Sequence, residues 1–518
     1  MAERKPKKDD RKDEDARMLA ALGFAFILIV IGIPLWWKTT KVHRVPLPYD
    51  RIGELSDVYL THEVNVMVVT GNEYRSQKIV RDLQEAFKSS RIFSFSFHGR
   101  SLSSRERAVL GEGRKLHELD THSELPHPNE RGHILFLEVP AMARLTEAAV
   151  VVGSRRTIYF ASDSNYVRLV AVLQDWILQE SSMKLTIDAM EAPTRVGRDL
   201  WGRRRIVPSI AYDILVSLVI PDPQAVLIDW DVKKAISDYM MPFLSQMSVL
   251  ADFNVKSQVL YFVSLGARHK NIDYFPYHDE ESLPHIITPL EKKIASHVSR
   301  HPTLNLVVYV APCGETPVHL FSKYENLLVL TSAFISPQWG GVQIVNTSEE
   351  CSARQSGSPE GRNNSDSKGS IYDILLKKDS TLVSLNSAKE PLPQTELLPL
   401  KRPEPREWEL DLLMRVRTME QITSAKLTLQ SLSQLLATIG NIVIEDEVGE
   451  SVWNATEGVE KATKLLAAGD LFGAFTLSQN AFVSAERAFT DRSLLALLYF
   501  PDDQKLMLDW EEYVESID

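Results

Sequence analysis

The chain has 518 residues, with 69 acidic against 58 basic side chains and a formal charge of −11, a balance that argues against nucleic acid as a partner. At 44% hydrophobic and 25% charged, it has the composition of a folded globular chain long enough for two or three units. Only two cysteines occur, which excludes a small disulfide-stapled scaffold and leaves the fold to its core.

Residues 1–17 mix both charge signs without an apolar period, which predicts a disordered cytoplasmic tail. Residues 18–37, MLAALGFAFILIVIGIPLWW, form a run of 20 residues with no charge. A helix of that length covers about 30 Å, the hydrocarbon thickness of a bilayer. Trp36 and Trp37 close it, where indole rings favour the membrane–water boundary. A cleaved signal peptide has a shorter core and a small-residue cut site, unlike the exit Trp36-Trp37-Lys38-Thr39-Thr40. A soluble core helix without one charge would be unusual so near a terminus. Seven basic residues precede the span and four follow it as far as Arg51, so the body of the chain is expected in the secretory lumen. Sequons at Asn346, Asn363 and Asn454 suit that compartment. There a Cys313–Cys351 disulfide can form; one buried thiol and one loop thiol is the alternative reading.

Residues 38–59 read as an extended connector, since Pro46 and Pro48 stop a helix. An α/β region is expected over 60–388. Strands are predicted at 64–70, 91–97, 133–139 and 157–160, with helices at 77–88 and 165–179. Residues 99–131 are polar and predict a long, mobile insertion. Strands at 209–220, 254–263, 304–310, 327–331 and 342–345 follow, the third apolar enough to be covered on both faces. A helix at 230–250 should bend or break at Pro242, and another is expected at 290–299, after Pro289. Trp339-Gly340-Gly341 reads as a turn. Residues 349–370 form a second polar insertion, and five prolines mark 389–406 as a linker.

From residue 407 to 505 the pattern is helical. A first helix ends at Gly440, a second covers 446–468 and stops at Gly469, and Asp470 is placed to cap a third. A short helix at 493–500 comes last. The expected fold class is therefore an α/β luminal domain of mixed sheets with helices, a C-terminal antiparallel helical unit, and one N-terminal transmembrane helix.

The search for chemistry is nearly empty. There is no Gly-x-Ser-x-Gly elbow, P-loop or complete Gly-x-Gly-x-x-Gly. Cys313 with His319 or His301 could imitate a cysteine–histidine pair, but a structural cysteine beside loop histidines is the better reading. His117, His122, His127 and His133 crowd one acidic segment without the spacing of His-Glu-x-x-His, and read as a solvated loop rather than a metal site. Arg203-Arg204-Arg205 could meet lipid headgroups or form an exposed basic turn. No catalytic, cofactor or metal residue is assigned.

Several stretches carry a family likeness. Gly32-Ile33-Pro34-Leu35-Trp36-Trp37-Lys38-Thr39-Thr40 followed by Pro46-Leu47-Pro48 resembles the N-terminal signature of the class S subunit of glycosylphosphatidylinositol (GPI) transamidase. The resemblance continues through Ser282-Leu283-Pro284-His285, Pro337-Gln338-Trp339-Gly340-Gly341, Asn441-Ile442-Val443-Ile444 and Leu498-Tyr499-Phe500-Pro501-Asp502-Asp503-Gln504-Lys505. It implies a non-catalytic, cofactor-free subunit in the endoplasmic reticulum membrane. Its implied partners are the cysteine-protease catalytic subunit, the class T and class U subunits, and the GPI anchor attachment protein. Family members carry a second span after the last motif, whereas here residues 506–518 are an acid-rich tail that cannot cross a bilayer. A luminal hydrolase or transferase, or a single-pass adhesion or receptor protein, is the alternative function.

Overall fold

The computed structural model describes residues 8–35, 43–57, 59–140, 147–191, 209–225, 228, 231–265, 270–272, 275–279, 281–294, 299–322, 327–329, 332–336, 338–346, 392–400, 404–438 and 443–494. The chain divides into two units. The larger is built from Val58–Leu427 and Gly458–Phe482, the smaller from Met1–Asp57, Thr428–Glu457 and Val483–Asp518.

The larger unit is α/β. Its first sheet has six strands in the spatial order Thr395–Leu397, Val150–Val152, Thr157–Ala161, Ile134–Val139, His62–Thr70 and Phe93–Ser101. His62–Thr70 is parallel to both of its neighbours, and Val150–Val152 runs antiparallel to Thr157–Ala161. Every residue of Ile134–Val139 and Thr157–Ala161 is buried, which explains why both are apolar apart from Glu138 and Thr157. Between the first two strands lies the helix Glu73–Phe87, capped by the Asn72 carboxamide accepting from Tyr74 N at 3.0 Å. It seats Ile79, Val80, Leu83 and Phe87 on the sheet, the Phe87 ring 4.5 Å from that of Phe95.

The second sheet repeats this plan. Its order is Ala333–Ser336, Gly340–Val345, Thr303–Val310, Ala211–Ile220 and Asp252–Tyr261. Again the first strand in the chain is central, the second is an edge, and the fourth runs antiparallel to the fifth. Gly340 opens the fifth strand at φ +136°, and a Cβ there would lie 1.9 Å from the Asn305 carbonyl oxygen. Only glycine lets these two strands approach so closely. The covering helix is interrupted as expected. Val232–Ala235 passes through a π turn, Ile236–Met240, into Met241–Met247. Pro242 follows that turn directly, and the wider turn absorbs its missing N–H and its ring. A separate four-stranded sheet holds Lys270–Ile272, Phe275–Asp279, His319–Ser322 and Leu327–Val329; of these, only the last was anticipated.

Two expectations need correction. Residues 99–131 are folded: Ser103 and Glu106 form a capping box on the helix Ser104–Gly111, and Arg100 makes a bidentate pair with Glu106 at 2.7 and 2.9 Å. Leu102, Val109, Leu110, Leu116, Leu119 and Leu125 enter the same core cluster as Leu135, Leu137 and Tyr159. The polar majority of the segment hid apolar residues spaced by short turns. Second, the helix placed after Pro289 starts earlier, as Leu283–Lys293, with Pro284 in its first turn and Pro289 inside. A proline in the first turn costs little, which is why Pro284 makes a better start signal than Pro289.

Three long helices end the described chain: Glu407–Thr438, Asp446–Ala467 and Leu471–Phe489. Gly469 at φ +84° closes the second, with Asp470 N reaching Leu465 O and Gly469 N reaching Leu466 O. Asp470 then caps the third through Gly473 N at 2.9 Å. Within the larger unit the second and third helices pack tightly where Gly458 meets Ala481. The smaller unit contains the apolar N-terminal helix, the segment after it, and the helical stretches that fall within its bounds.

Candidate functional site

In open α/β sheets a ligand sits beyond the carboxyl ends of the strands, where strand order reverses. Each sheet here has such a point, and in both the described residues around it engage one another. In the first, between His62–Thr70 and Ile134–Val139, the buried Glu138 carboxylate accepts Gly71 N at 2.7 Å and pairs with Arg75 Nε at 3.0 Å. Arg107 donates to Gly71 O at 3.1 Å. The amide that a bound anion would need is thus already taken by an internal one. In the second, between Ala211–Ile220 and Thr303–Val310, Leu218, Ile220, Val308 and Val310 pack with Ile228, Val232, Cys313 and Val345. Among the described residues that crevice is lined by apolar side chains.

The residues singled out from the sequence do not converge. Cys313 is disulfide-bonded and so has no thiol with which to attack a substrate. His301 precedes the strand Thr303–Val310 and Cys313 follows it, so they flank opposite ends of eight residues, about 25 Å of chain. His319 starts a strand of the separate sheet. His127 is buried, its ring bonded to Thr157 Oγ1 at 2.8 Å and Leu119 O at 3.1 Å. Burial holds its pKa below the usual histidine value. His133 contacts Asn65 Nδ2 at 3.0 Å, and His122 Nδ1 accepts Glu124 N at 3.3 Å. Among the described residues no three His, Cys, Asp or Glu side chains are placed to hold a metal ion.

Of the sequons, Asn346 has its carboxamide engaged with Val318, accepting at 2.8 Å and donating at 3.0 Å. Asn454 is exposed on a helix, while Thr456 is buried with its hydroxyl on Val452 O. Asn363, Cys351, Trp36, Trp37, the Arg203–Arg205 run and residues 506–518 lie outside the described residues.

Sequence reading missed a buried ionic cluster at the amino ends of the first sheet. Asp411 accepts from Gly132 N at 2.9 Å and from Arg156 Nε and Nη2 at 2.5 and 3.0 Å. Arg156 Nη1 reaches Glu407 at 2.7 Å, and Trp408 Nε1 donates to Gly153 O at 3.1 Å. Arg415, fully buried one turn on, is pushed down to about 10 by desolvation. The available signal was the four-residue spacing of Glu407, Asp411 and Arg415, which puts them on one side of a helix. These groups fasten the first long helix to the sheet and face no cavity that the structure describes.

The membrane element is plain. Ala16–Leu35 has a mean hydropathy of 2.7, with none of it buried, and is the one stretch among the described residues long and apolar enough to cross a bilayer. A π turn at Leu28–Gly32 precedes Pro34. Past this helix the chain is docked rather than loose. Arg44 bridges to Ile444, with Val45 N on Ile444 O at 3.2 Å and Ile444 N on His43 O at 3.0 Å. Arg44 Nη2 donates to Leu436 O at 2.6 Å and Trp453 Nε1 to Pro46 O at 3.3 Å. Leu47, Ile52 and Leu55 are buried, and Val45 packs so close to Gly449 that a Cβ there would stand 2.7 Å away. What read as a connector is a collar on the smaller unit.

Comparison with known proteins extends these findings. A family model described as phosphatidylinositol-glycan biosynthesis class S protein matches residues 23–507. The GPI-anchor transamidase component PIGS of Bos taurus is 33% identical over 509 residues, covering 94% of this chain and 91% of that protein. The Homo sapiens protein of the same name is 32% identical over 523 residues, with the same coverage of 94% and 91%. The GPI transamidase component PIG-S homolog of Schizosaccharomyces pombe is 23% identical over 504 residues, covering 96% and 81%. On a match that runs from the apolar helix through both sheets to the last helices, the chain belongs to the phosphatidylinositol-glycan biosynthesis class S protein family.

Proposed function

We propose that this chain is the non-catalytic class S component of a GPI-anchor transamidase, the assembly that replaces a C-terminal signal peptide with a GPI anchor. The observation that carries this reading is the family match over residues 23–507, joined to crevices at both sheets whose described residues engage one another. Such a body offers surface rather than chemistry. The membrane helix Ala16–Leu35 holds it in the endoplasmic reticulum membrane with its folded mass in the lumen. Its partners are the cysteine-protease catalytic subunit, the class T and class U subunits, and the GPI anchor attachment protein. Cys313 pairs with Cys351 in that oxidising compartment, glycans are added at one or more of Asn346, Asn363 and Asn454, and Trp36 and Trp37 sit at the membrane boundary.

The test is complementation. In cells lacking their own class S subunit, the full chain is expected to restore surface display of a GPI-anchored reporter and to co-purify with the protease subunit in mild detergent. Restoration by a Cys313→Ser variant that still assembles would confirm that no thiol chemistry is involved. Recovery of the chain alone, with no display, would overturn the reading.

A further inference from the structure

Two of the sequon asparagines lie among the described residues, and their carboxamides stand in opposite circumstances. Asn346 directly follows the strand Gly340–Val345. Its Oδ1 accepts Val318 N at 2.8 Å and its Nδ2 donates to Val318 O at 3.0 Å, just ahead of the strand His319–Ser322. The side chain thus serves both backbone groups of a buried residue, as a neighbouring strand would. To meet the N–H and C=O of one residue together, a carboxamide presents its oxygen and the hydrogen on the oxygen's side. An N-linked sugar replaces that same hydrogen, because a substituted amide sets its substituent on the oxygen's side, as a trans peptide does. A sugar on Asn346 would therefore break the Nδ2 bond and press toward Val318.

Asn454 is the reverse case. It sits in the middle of the helix Asp446–Ala467, exposed, and its side chain bonds nothing among the described residues. Asparagine is a poor helix former, and here it gains no partner in return. Glu450 and Glu457, one turn away on either side, are exposed too, so the ridge opens on water. Thr456, which completes the sequon, is buried with its hydroxyl donating to Val452 O at 2.8 Å. The hydroxyl that a transferase must grip is accessible only before this helix packs. That suits transfer to a chain still extended as it enters the lumen.

We propose that Asn454 carries an N-linked glycan in the folded chain and that Asn346 stays bare, kept for its bonds to Val318. This rests on the reading of the body as luminal. The sugar donor is a polyprenyl pyrophosphate-linked oligosaccharide. The bond from Asn454 Nδ2 to sugar C1 forms as the C1–O bond to pyrophosphate breaks. Polyprenyl pyrophosphate leaves with the electron pair, and Nδ2 gives up one proton to a base of the transferase. At Asn454 the product stands on the exposed ridge and displaces no contact. At Asn346 the same product forbids the paired bonds to Val318, so a chain modified there cannot complete this junction and the folded population is bare at that site.

The experiment uses the full chain recovered from membranes of a secretory host. Protease protection on sealed microsomes comes first: a body digestible from outside would sink the proposed function rather than the choice of site. With the body protected, peptide mass spectrometry of the wild type after enzymatic sugar release is expected to find Asn454 converted to aspartate and Asn346 unconverted. Asn454→Gln is expected to lose one glycan by gel mobility at unchanged accumulation. Ser348→Ala abolishes the other sequon yet keeps the Asn346 carboxamide, so neither mobility nor thermal melting is expected to change. Asn346→Ala keeps the mobility but lowers the melting temperature, because Val318 loses both partners. An unconverted Asn454, a converted Asn346, a sugar lost in Ser348→Ala, or equal melting of Asn346→Ala and Ser348→Ala would overturn the inference.

Discussion

The first and second sheets share a strand order and direction over five strands each, yet they are finished by different side chains. The first is sealed. Its crevice is plugged by Glu138, its edge is capped by Ser90, Gln77 and Arg100, and its amino ends are bolted to the long helix through Asp411 and Arg156. The second lines its crevice with apolar side chains, and among the described residues no side chain caps the outward backbone of Asp252–Tyr261. One plan is thus finished differently in the two sheets, and the difference lies in which side chains meet the backbone.

The largest effect is expected at Gly340. Gly340→Ala would drive a Cβ into Asn305 and is expected to cost about 4 kcal/mol or more, read as loss of accumulation or early proteolysis of the second sheet. The adjacent Gly341, with no atom nearer than 3.6 Å, should tolerate alanine and serves as the control. Next comes Asp411→Ala, which strands Arg156 in a buried site and is expected to destabilise by about 3–5 kcal/mol in thermal melts. Replacing both Asp411 and Arg156 by leucine should recover much of that loss. Glu138→Ala leaves the Gly71 amide without its acceptor, at an expected cost of about 1–3 kcal/mol, and opens the first crevice.

Acid acts on each sheet through a different carboxylate. Glu106 beside Arg100 in the first half, and Asp213 beside Lys256 and Ser299 in the second, are each held down to about 2. Both folded values lie below the ordinary carboxylate range of about 4. Their stabilisation is thus present above that range and lost as pH falls from about 4 toward about 2. Asp213→Asn should flatten that part of a stability–pH curve measured on the second sheet and leave the first unchanged. Smallest is Gln77→Ala, which uncaps one carbonyl of the first edge; a change within about 0.5 kcal/mol is expected, and no change in assembly.

Much of this was legible beforehand. Near-continuous apolar runs such as LNLVVYV announced covered strands because both faces of a parallel sheet are buried. Gly469 and Asp470 marked the helix reversal because their backbone roles are nearly unique. The membrane helix needed only length and the absence of charge. What stayed hidden depended on distant partners. Nothing local distinguishes Glu138 as an acceptor for Gly71, which lies just past the end of another strand, 67 positions away. The Asp411 cluster joins residues more than 250 positions apart, and the short strands Val150–Val152 and Lys270–Ile272 are held by neighbours rather than by their own pattern. The family likeness reached further than the residue chemistry because it samples the whole chain at once.

The collar around Arg44 and Ile444 has a spatial consequence. Only residues 36–42 separate the end of the apolar helix at Leu35 from His43, where the docked segment begins. Eight steps of fully stretched backbone reach no further than about 30 Å. The smaller unit is therefore leashed within a thin slab above the bilayer. Meetings with other tethered proteins become searches in a plane, at an effective concentration set by leash length rather than by bulk abundance.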